Sequence, residues 1–432
     1  MVMFTTRRSI PELVVPAEPT PRETKFLSGI DNYINLRFYA TGIQFFRLEH
    51  SHEKPGSIAK AIKAALAAAL VYYYPIAGRL REVPNGELVV DCTAEGVMFV
   101  EATADVQLKH LGQPLLPPYP CVEELMFDAG RGDGVVVARP LFTIQVINLT
   151  SMIEGGGAVP SVLPVWRREI LMARNPLCIR DIFPAYVPFL NGSRGNHRSS
   201  GEDLMLSRPP EAMVTEYLHF TGADIAHLQR HIPMYLGRSV STFDLLTAVM
   251  WRCRTKALGY KPDQQVRLMF TMSVRGKWKH IPRGYYGNAF VYPIVETTVD
   301  DLCGNTLGHS LELICKAKLD MSLERMKSMV DMMSGLQHGL GSTFKVDNVY
   351  YVSDLTRLGH EEIDFPWAQW VGGSILPVQR PSSFHVKCKN GDGEESVVVS
   401  VLMQKSAIGR LAKEMAFWLN KPDYTVIPIS SL

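Results

Sequence analysis

The sequence predicts a mixed α+β protein built from two packed halves. Three observations carry this. The chain has 432 residues, 46% of them hydrophobic, more than one core usually organises, since domains run to roughly 100–200 residues. Apolar residues recur at helical spacing in some stretches and in short β-branched runs in others. A polar stretch from Leu190 to Pro210, rich in Gly, Ser and Asn, interrupts both patterns.

The elements follow in order. Ile58, Ala61, Ile62, Ala65, Leu66 and Ala69 share one helical face between Gly56 and Ala69, and Pro75 should end that helix. Glu87 to Asp91 and Gly96 to Glu101 read as short strands, with Asn85-Gly86 as a turn signal before them. Val135 to Arg139 and Leu141 to Val146 give two more strand-like runs, separated by Pro140. Beyond the polar stretch, Ser241 or Thr242 should cap a helix running to Leu258. The expected organisation is an N-terminal domain over 1–190, a crossover linker over 191–212 and a C-terminal domain over 213–432.

Charge and composition exclude several function classes. With 45 basic and 43 acidic residues the formal net charge is +2, which gives no field for a polyanion, so a small-molecule partner is expected and nucleic acid is not. The N-terminal Arg7 and Arg8 are followed by Pro11, Pro16, Pro19 and Pro21 with no apolar run, unlike a secretory leader. The most apolar helix carries Lys60 and Lys63 and falls short of the ~20 residues a span needs. A soluble, cytoplasmic protein without a membrane partner is expected. The seven cysteines form no C-x-x-C pair and read as free thiols, with no metal site. Asn148 and Asn191 open glycosylation sequons that would stay unused without a secretory route. Arg7-Arg8 and Arg167-Arg168 read as solvated basic pairs. Neither Gly86 nor the Gly155-Gly156-Gly157 run belongs to a phosphate loop; the triple glycine reads as a flexible joint.

Six short segments, in this order, carry a resemblance. They are Tyr73-Tyr74-Pro75-Ile76-Ala77-Gly78-Arg79, Ser161-Val162-Leu163-Pro164-Val165-Trp166, Ser241-Thr242-Phe243-Asp244, Tyr285-Tyr286-Gly287-Asn288, Tyr351-Val352-Ser353-Asp354 and Asp364-Phe365-Pro366-Trp367-Ala368. Together they resemble the plant BAHD acyl-CoA-dependent acyltransferases over nearly the whole chain, nearest the alcohol acyltransferases and benzyl alcohol benzoyltransferases. The resemblance implies a two-domain, chloramphenicol-acetyltransferase-like fold with a mixed sheet in each domain. A channel would run between the domains, and a segment after 364 would cross back to the N-terminal domain. It also implies a monomer that uses acyl-CoA as co-substrate, binds no permanent cofactor, and forms esters with a small alcohol in plant secondary metabolism.

That family works through an H-x-x-x-D box. A neutral histidine removes the proton of an acceptor hydroxyl while its oxygen attacks the thioester, and the aspartate orients the loop. Here the interval from Pro140 to Pro160 contains neither histidine nor aspartate. His219 has Asp224 one position too far along. His360 matches literally with Asp364, but Asp364 already opens the downstream motif. No catalytic residue is therefore assigned. Pro140 to Val146 resembles the strand before the family's catalytic strand, and Ile147 to Glu154 the end of the helix after the box. A deletion of about 20–30 residues is expected near Val146/Ile147, judged by ordinary element lengths. Two further readings stay open: a non-catalytic acyl-CoA-binding or partner-binding relic, and a written chain that omits residues the protein has.

The resemblance implies further site residues. Coenzyme A phosphates would lie near Ser241, Thr242, Arg275 and Lys277, where a helix start and two cations suit an anion; helix capping and a surface lysine account for the same residues without a ligand. Asp364, Phe365 and Trp367 would form a structural motif, Asp364 pairing with Arg275. Proline and alanine stand at 366 and 368 where the family has glycines, so that loop is expected to depart from the family's conformation.

Overall fold

The computed structural model describes residues 3–48, 57–112, 115–127, 136–149, 162–180, 212–237, 239–337, 348–359, 365, 367–376, 382–389, 393–421, 424 and 427–428. The expected linker up to residue 211, Asn191, the Gly155-Gly156-Gly157 run, His360, Asp364 and Pro366 lie outside them.

Helix and sheet alternate along the chain. The Ile58–Tyr72 helix starts where Ser57 accepts the Lys60 backbone N–H at 3.3 Å. Leu88–Asp91 pairs antiparallel with both Thr24–Phe26 and Arg79–Glu82. Gly78 enters this sheet where a Cβ would lie 2.3 Å from the Asp91 carbonyl oxygen, so only glycine fits. Val97–Ala104 pairs antiparallel with Thr6–Arg8 and Glu12–Val14, and parallel with Thr143–Asn148.

Two strand expectations need correction. Val137 and Ala138 form a turn, Ala138 at φ +57°, with its N–H bonded to the Leu80 carbonyl. Among the described residues, Val136 to Arg139 join no strand. Ile147 is not the end of a helix: it continues the Thr143–Asn148 strand through the Val146/Ile147 junction. Ile144 and Val146 pack on one apolar cluster and Ile147 on another, so the two-residue period runs unbroken across the junction.

The larger sheet has seven strands in the spatial order Ile294–Thr298, Gln265–Phe270, Val349–Asp354, Ser382–Lys389, Glu395–Gln404, Met213–Thr221 and Ile427–Pro428. Gln265–Phe270, Val349–Asp354 and Ser382–Lys389 run parallel; the other pairings are antiparallel. The Thr242–Leu258 helix is central to the associated core and buried along nearly its whole length, its polar Asp244, Thr247, Arg252, Arg254 and Thr255 included. Its buried Arg252 donates to the carbonyls of Asn305 at 2.7 Å and Cys303 at 3.1 Å, satisfying groups at the end of the Val299–Gly304 helix. Ala368–Leu376 leaves this half of the chain and pairs antiparallel with Thr41–Leu48. There the Trp370 indole N–H donates to Gln44 Oε1 at 2.8 Å.

Two of the six sequence motifs meet at the Arg168 side chain, and a third reaches it through Tyr286. Arg168 is only 6% exposed, so its expected solvated role is corrected; Arg167 is exposed and paired with Glu169. The Arg168 Nε lies 2.7 Å from Asp31 Oδ2, and its Nη1 donates to the Trp166 carbonyl at 2.9 Å. The guanidinium lies over the rings of Trp166 at 4.1 Å, Tyr286 at 4.9 Å and Tyr285 at 5.0 Å. Tyr286 makes edge contacts with Tyr73 at 5.2 Å and Trp166 at 5.8 Å. Asp31 accepts from the Ser28 hydroxyl at 3.0 Å and the Asn288 N–H at 3.1 Å. A Cβ on Gly287 would lie 2.4 Å from the guanidinium carbon, which fixes glycine there.

His385 occupies the Ser382–Lys389 strand, fully buried, its ring 5.1 Å from Phe243. Neither ring nitrogen has a hydrogen-bond partner among the described residues. Burial pushes the imidazole down to about 4, with Asp354 opposing.

Two predictions arise here. Asp31→Ala strands the Arg168 guanidinium in a closed aromatic cage and should cost about 3–5 kcal/mol. It would be read as a lower urea midpoint, and a midpoint unchanged from wild type would show that the pair holds nothing together. For His385, the unfolded chain takes up a proton near pH 6.5 while the folded chain resists until about 4, so stability contributed by the neutral ring is present above pH 6.5 and lost as pH falls towards 4. His385→Phe should therefore remove up to about 3 kcal/mol of acid sensitivity across that window. Parallel stability curves for the two proteins between pH 7 and 4 would contradict it.

Candidate functional site

A cavity of about 1290 Å³ opens beyond the C-terminal ends of the Gln265–Phe270 and Val349–Asp354 strands. Open sheets with parallel strands commonly bind ligands at that end. Tyr33, Phe38 and Ala40 close it from the N-terminal part of the chain; Ser241, Phe243, Asp244 and Lys318 line it at a helix start. Ser353, Asp354, Arg357, Arg275 and Asn288 add polar groups to walls that are otherwise largely apolar.

The helix start is already satisfied by its own side chains. Ser241 accepts the Asp244 N–H at 3.2 Å, while Asp244 Oδ2 accepts from the Ser241 hydroxyl at 2.8 Å and the Ser241 N–H at 3.0 Å, a complete capping box. The Asp244 carboxylate, 1% exposed, forms an ion pair with Lys318. Lys318 Nζ also lies 5.4 Å from the Phe243 ring centre. A carboxylate therefore occupies the place where a phosphate would meet the helix dipole. Of the residues expected near coenzyme A, Ser241 and Arg275 line the cavity. Thr242 and Lys277 are exposed and do not line it.

Arg275 spends its fork on backbone. Nη1 donates to the Tyr285 carbonyl at 2.7 Å and Nη2 to the Gly287 carbonyl at 2.8 Å, bracing the turn that carries Tyr286. Its expected partner Asp364 lies outside the described residues. Phe365 and Trp367 stack at 5.4 Å, and Phe365 meets Phe46 edge-on at 5.1 Å beside the Ala368–Leu376 strand. Both rings act in packing.

No histidine is among the described residues that line the cavity. His219 lies within the Met213–Thr221 strand, and Asp224 caps the following helix while pairing with Lys421 at 2.5 Å. They are no catalytic dyad. Asp354 Oδ1 accepts from the Thr356 hydroxyl at 2.6 Å and its N–H at 3.0 Å. Among the described residues no group of three or more His, Cys, Asp or Glu side chains is placed to hold a metal, and no helix is long and apolar enough to cross a membrane. The arrangement can bind an amphipathic ligand; it presents no general base from the described walls.

Sequence reasoning missed two contributors to the walls: Lys318, and the methionines at 269, 272, 329, 332 and 333. Met329, Met332 and Met333 do show helical spacing in the sequence. That pattern reads as ordinary core, and all three are buried in the core at the edge of the cavity.

Similar proteins place the chain. It is 44% identical to Acyl transferase 1 of Oryza sativa subsp. japonica, an alignment covering 100% of this chain and 99% of the relative. That alignment runs over 487 positions against this chain's 432 residues, so the relative carries positions without a counterpart here. It is 39% identical to benzyl alcohol O-benzoyltransferase of Petunia hybrida, over 96% of this chain and 94% of that protein. The vinorine synthase crystal structure shares the fold at TM-score 0.67 and 17% identity, covering 96% of this chain and 98% of that one. F. sporotrichioides TRI101, complexed with coenzyme A and T-2, does so at TM-score 0.60 and 15% identity, over 94% and 100% of the two chains. The model of the Transferase family matches residues 2–162 and 148–417, and with relatives this similar over the whole chain, the protein belongs to that family, the BAHD acyltransferases.

Proposed function

We propose that this chain is an acyl-CoA-dependent O-acyltransferase by descent that binds acyl-CoA and a small alcohol in the cavity but transfers the acyl group, benzoyl in the leading case, only slowly. The observation that carries this reading is a pairing: a large amphipathic cavity framed by the family's motifs, and an interval from Pro140 to Pro160 without histidine or aspartate. Three findings support an internal shortening. The family model matches in two overlapping stretches, 2–162 and 148–417, rather than in one. The rice relative has positions without a counterpart in this chain. Thr143–Asn148 pairs only with Val97–Ala104 among the described strands, which leaves an edge where a following strand would sit.

In this reading the coenzyme A phosphates meet the cavity near Arg275 and Lys277, the exposed cations of the four residues assigned from sequence. Ser241 and Thr242 serve the helix start. Binding supplies proximity and orientation, but no base takes the alcohol's proton. A missing general base ordinarily costs 10²–10⁴ in rate. The protein would work as a monomer in the cytoplasm, with no permanent cofactor, in ester biosynthesis. The competing reading, a relic that binds acyl-CoA without turnover, is separated by the same assay.

The test is release of free thiol from benzoyl-CoA with a panel of alcohols, beside calorimetric titration with coenzyme A. Binding with release at least about 10²-fold slower than an intact relative is expected. Binding without release selects the relic, release at the relative's rate defeats the impairment, and absence of binding defeats the reading as a whole. Sequencing the transcript across the Val146 and Ile147 codons decides the junction: an intervening H-x-x-x-D segment there would make the real protein an intact acyltransferase.

A further inference from the structure

Two histidines face each other outside the cavity. His227 sits in the last turn of the Gly222–Gln229 helix, and His231 follows it by four residues. The chain keeps a helical path between them, since the His231 N–H bonds to the Leu228 carbonyl at 3.0 Å and the Ile232 N–H to the Gln229 carbonyl at 3.1 Å. Residues at this spacing share a helix face. The two imidazoles accordingly meet, with ring centres 5.8 Å apart and planes crossed at 65°. His227 is half-buried and His231 exposed; neither ring takes part in a hydrogen bond or ion pair among the described residues, and neither lines the cavity.

Two histidines one turn apart on a helix are a recurrent way to hold a transition metal. A metal bonded at about 2.0–2.1 Å to one nitrogen of each ring lies roughly 3.2 Å from each ring centre, so centres up to about 6.4 Å apart can share it. This pair falls inside that limit, and a rotation of the exposed His231 ring aims both nitrogens at one point. We infer that His227 and His231 form a surface site for a divalent transition metal of the Ni²⁺, Cu²⁺ and Zn²⁺ group, with water completing its coordination. Imidazole suits those ions, whereas Mg²⁺ and Ca²⁺ take oxygen ligands. Asp224, one turn before His227, supplies no third ligand: its carboxylate is committed to the helix cap and to Lys421 at 2.5 Å. With two protein ligands the site is open and exchanges its metal, unlike a closed structural zinc centre. Trp418 gives it a reporter, because its ring meets His231 edge-on at 5.4 Å. The site stands independently of the acyl-CoA reading.

Calorimetric titration of the untagged full chain with NiCl₂, beside tryptophan emission, tests this. A single saturable Ni²⁺ site is expected, with quenching that is largely lost in Trp418→Phe and no response to MgCl₂. Loss of an outer-shell partner alone commonly costs 10–100-fold in metal affinity, so His227→Gln and His231→Gln should each weaken Ni²⁺ binding at least about tenfold and leave coenzyme A binding unchanged. In wild type, added Ni²⁺ should also raise the melting temperature by mass action, and in the variants it should not. Ni²⁺ affinity unchanged in both folded variants, or no saturable binding by the wild-type chain, would overturn the inference. If a glutamine variant fails to fold, the other proteins still decide: quenching that persists in full in Trp418→Phe places the metal elsewhere.

Discussion

The Arg168 guanidinium is the interaction on which the cavity's geometry depends. It is a cation removed from water, held by Asp31, by the Trp166 carbonyl and by three aromatic faces. A buried charge is tolerable only when it is paired and hydrogen-bonded. Satisfying this one forces residues from near the start of the chain, from its middle and from the Tyr285 turn into a single arrangement. Arg275 braces the same turn from the other side through two carbonyls. Asn288, which lines the cavity, is fixed by the Asp31 carboxylate. Several motifs shared with the acyltransferases thus act here as architecture.

The same economy governs the charges around the cavity. Asp244 and Lys318 neutralise each other at the start of the Thr242–Leu258 helix, and Asp354 is engaged by Thr356. Both carboxylates are thus already engaged. The wall opposite is thioether and aromatic.

The Val146/Ile147 junction has an instructive structural result. A cut that joins two segments would often break the local pattern, yet Thr-Ile-Gln-Val-Ile-Asn alternates well enough to make one strand, with each face meeting its own apolar cluster. Strand formation asks only for a two-residue period and one partner. It is blind to whether the catalytic loop follows. The strand therefore forms, and the chain keeps the family's fold, whatever follows Asn148.

The mixed helix and sheet, the helix stops at Pro75 and Leu258, the strands at 88 and 97 and the family itself were legible from sequence, because local periodicity, capping residues and motif order are properties of neighbouring residues. The interval from Pro140 to Pro160 without histidine or aspartate is likewise a plain feature of the sequence. Burial was not legible. Arg168 reads as a surface cation. Only the tertiary structure shows an ion in an aromatic cage and the buried pairing of Asp244 with Lys318. Each of those roles is set by partners scores of residues away in the chain, and no local pattern encodes either.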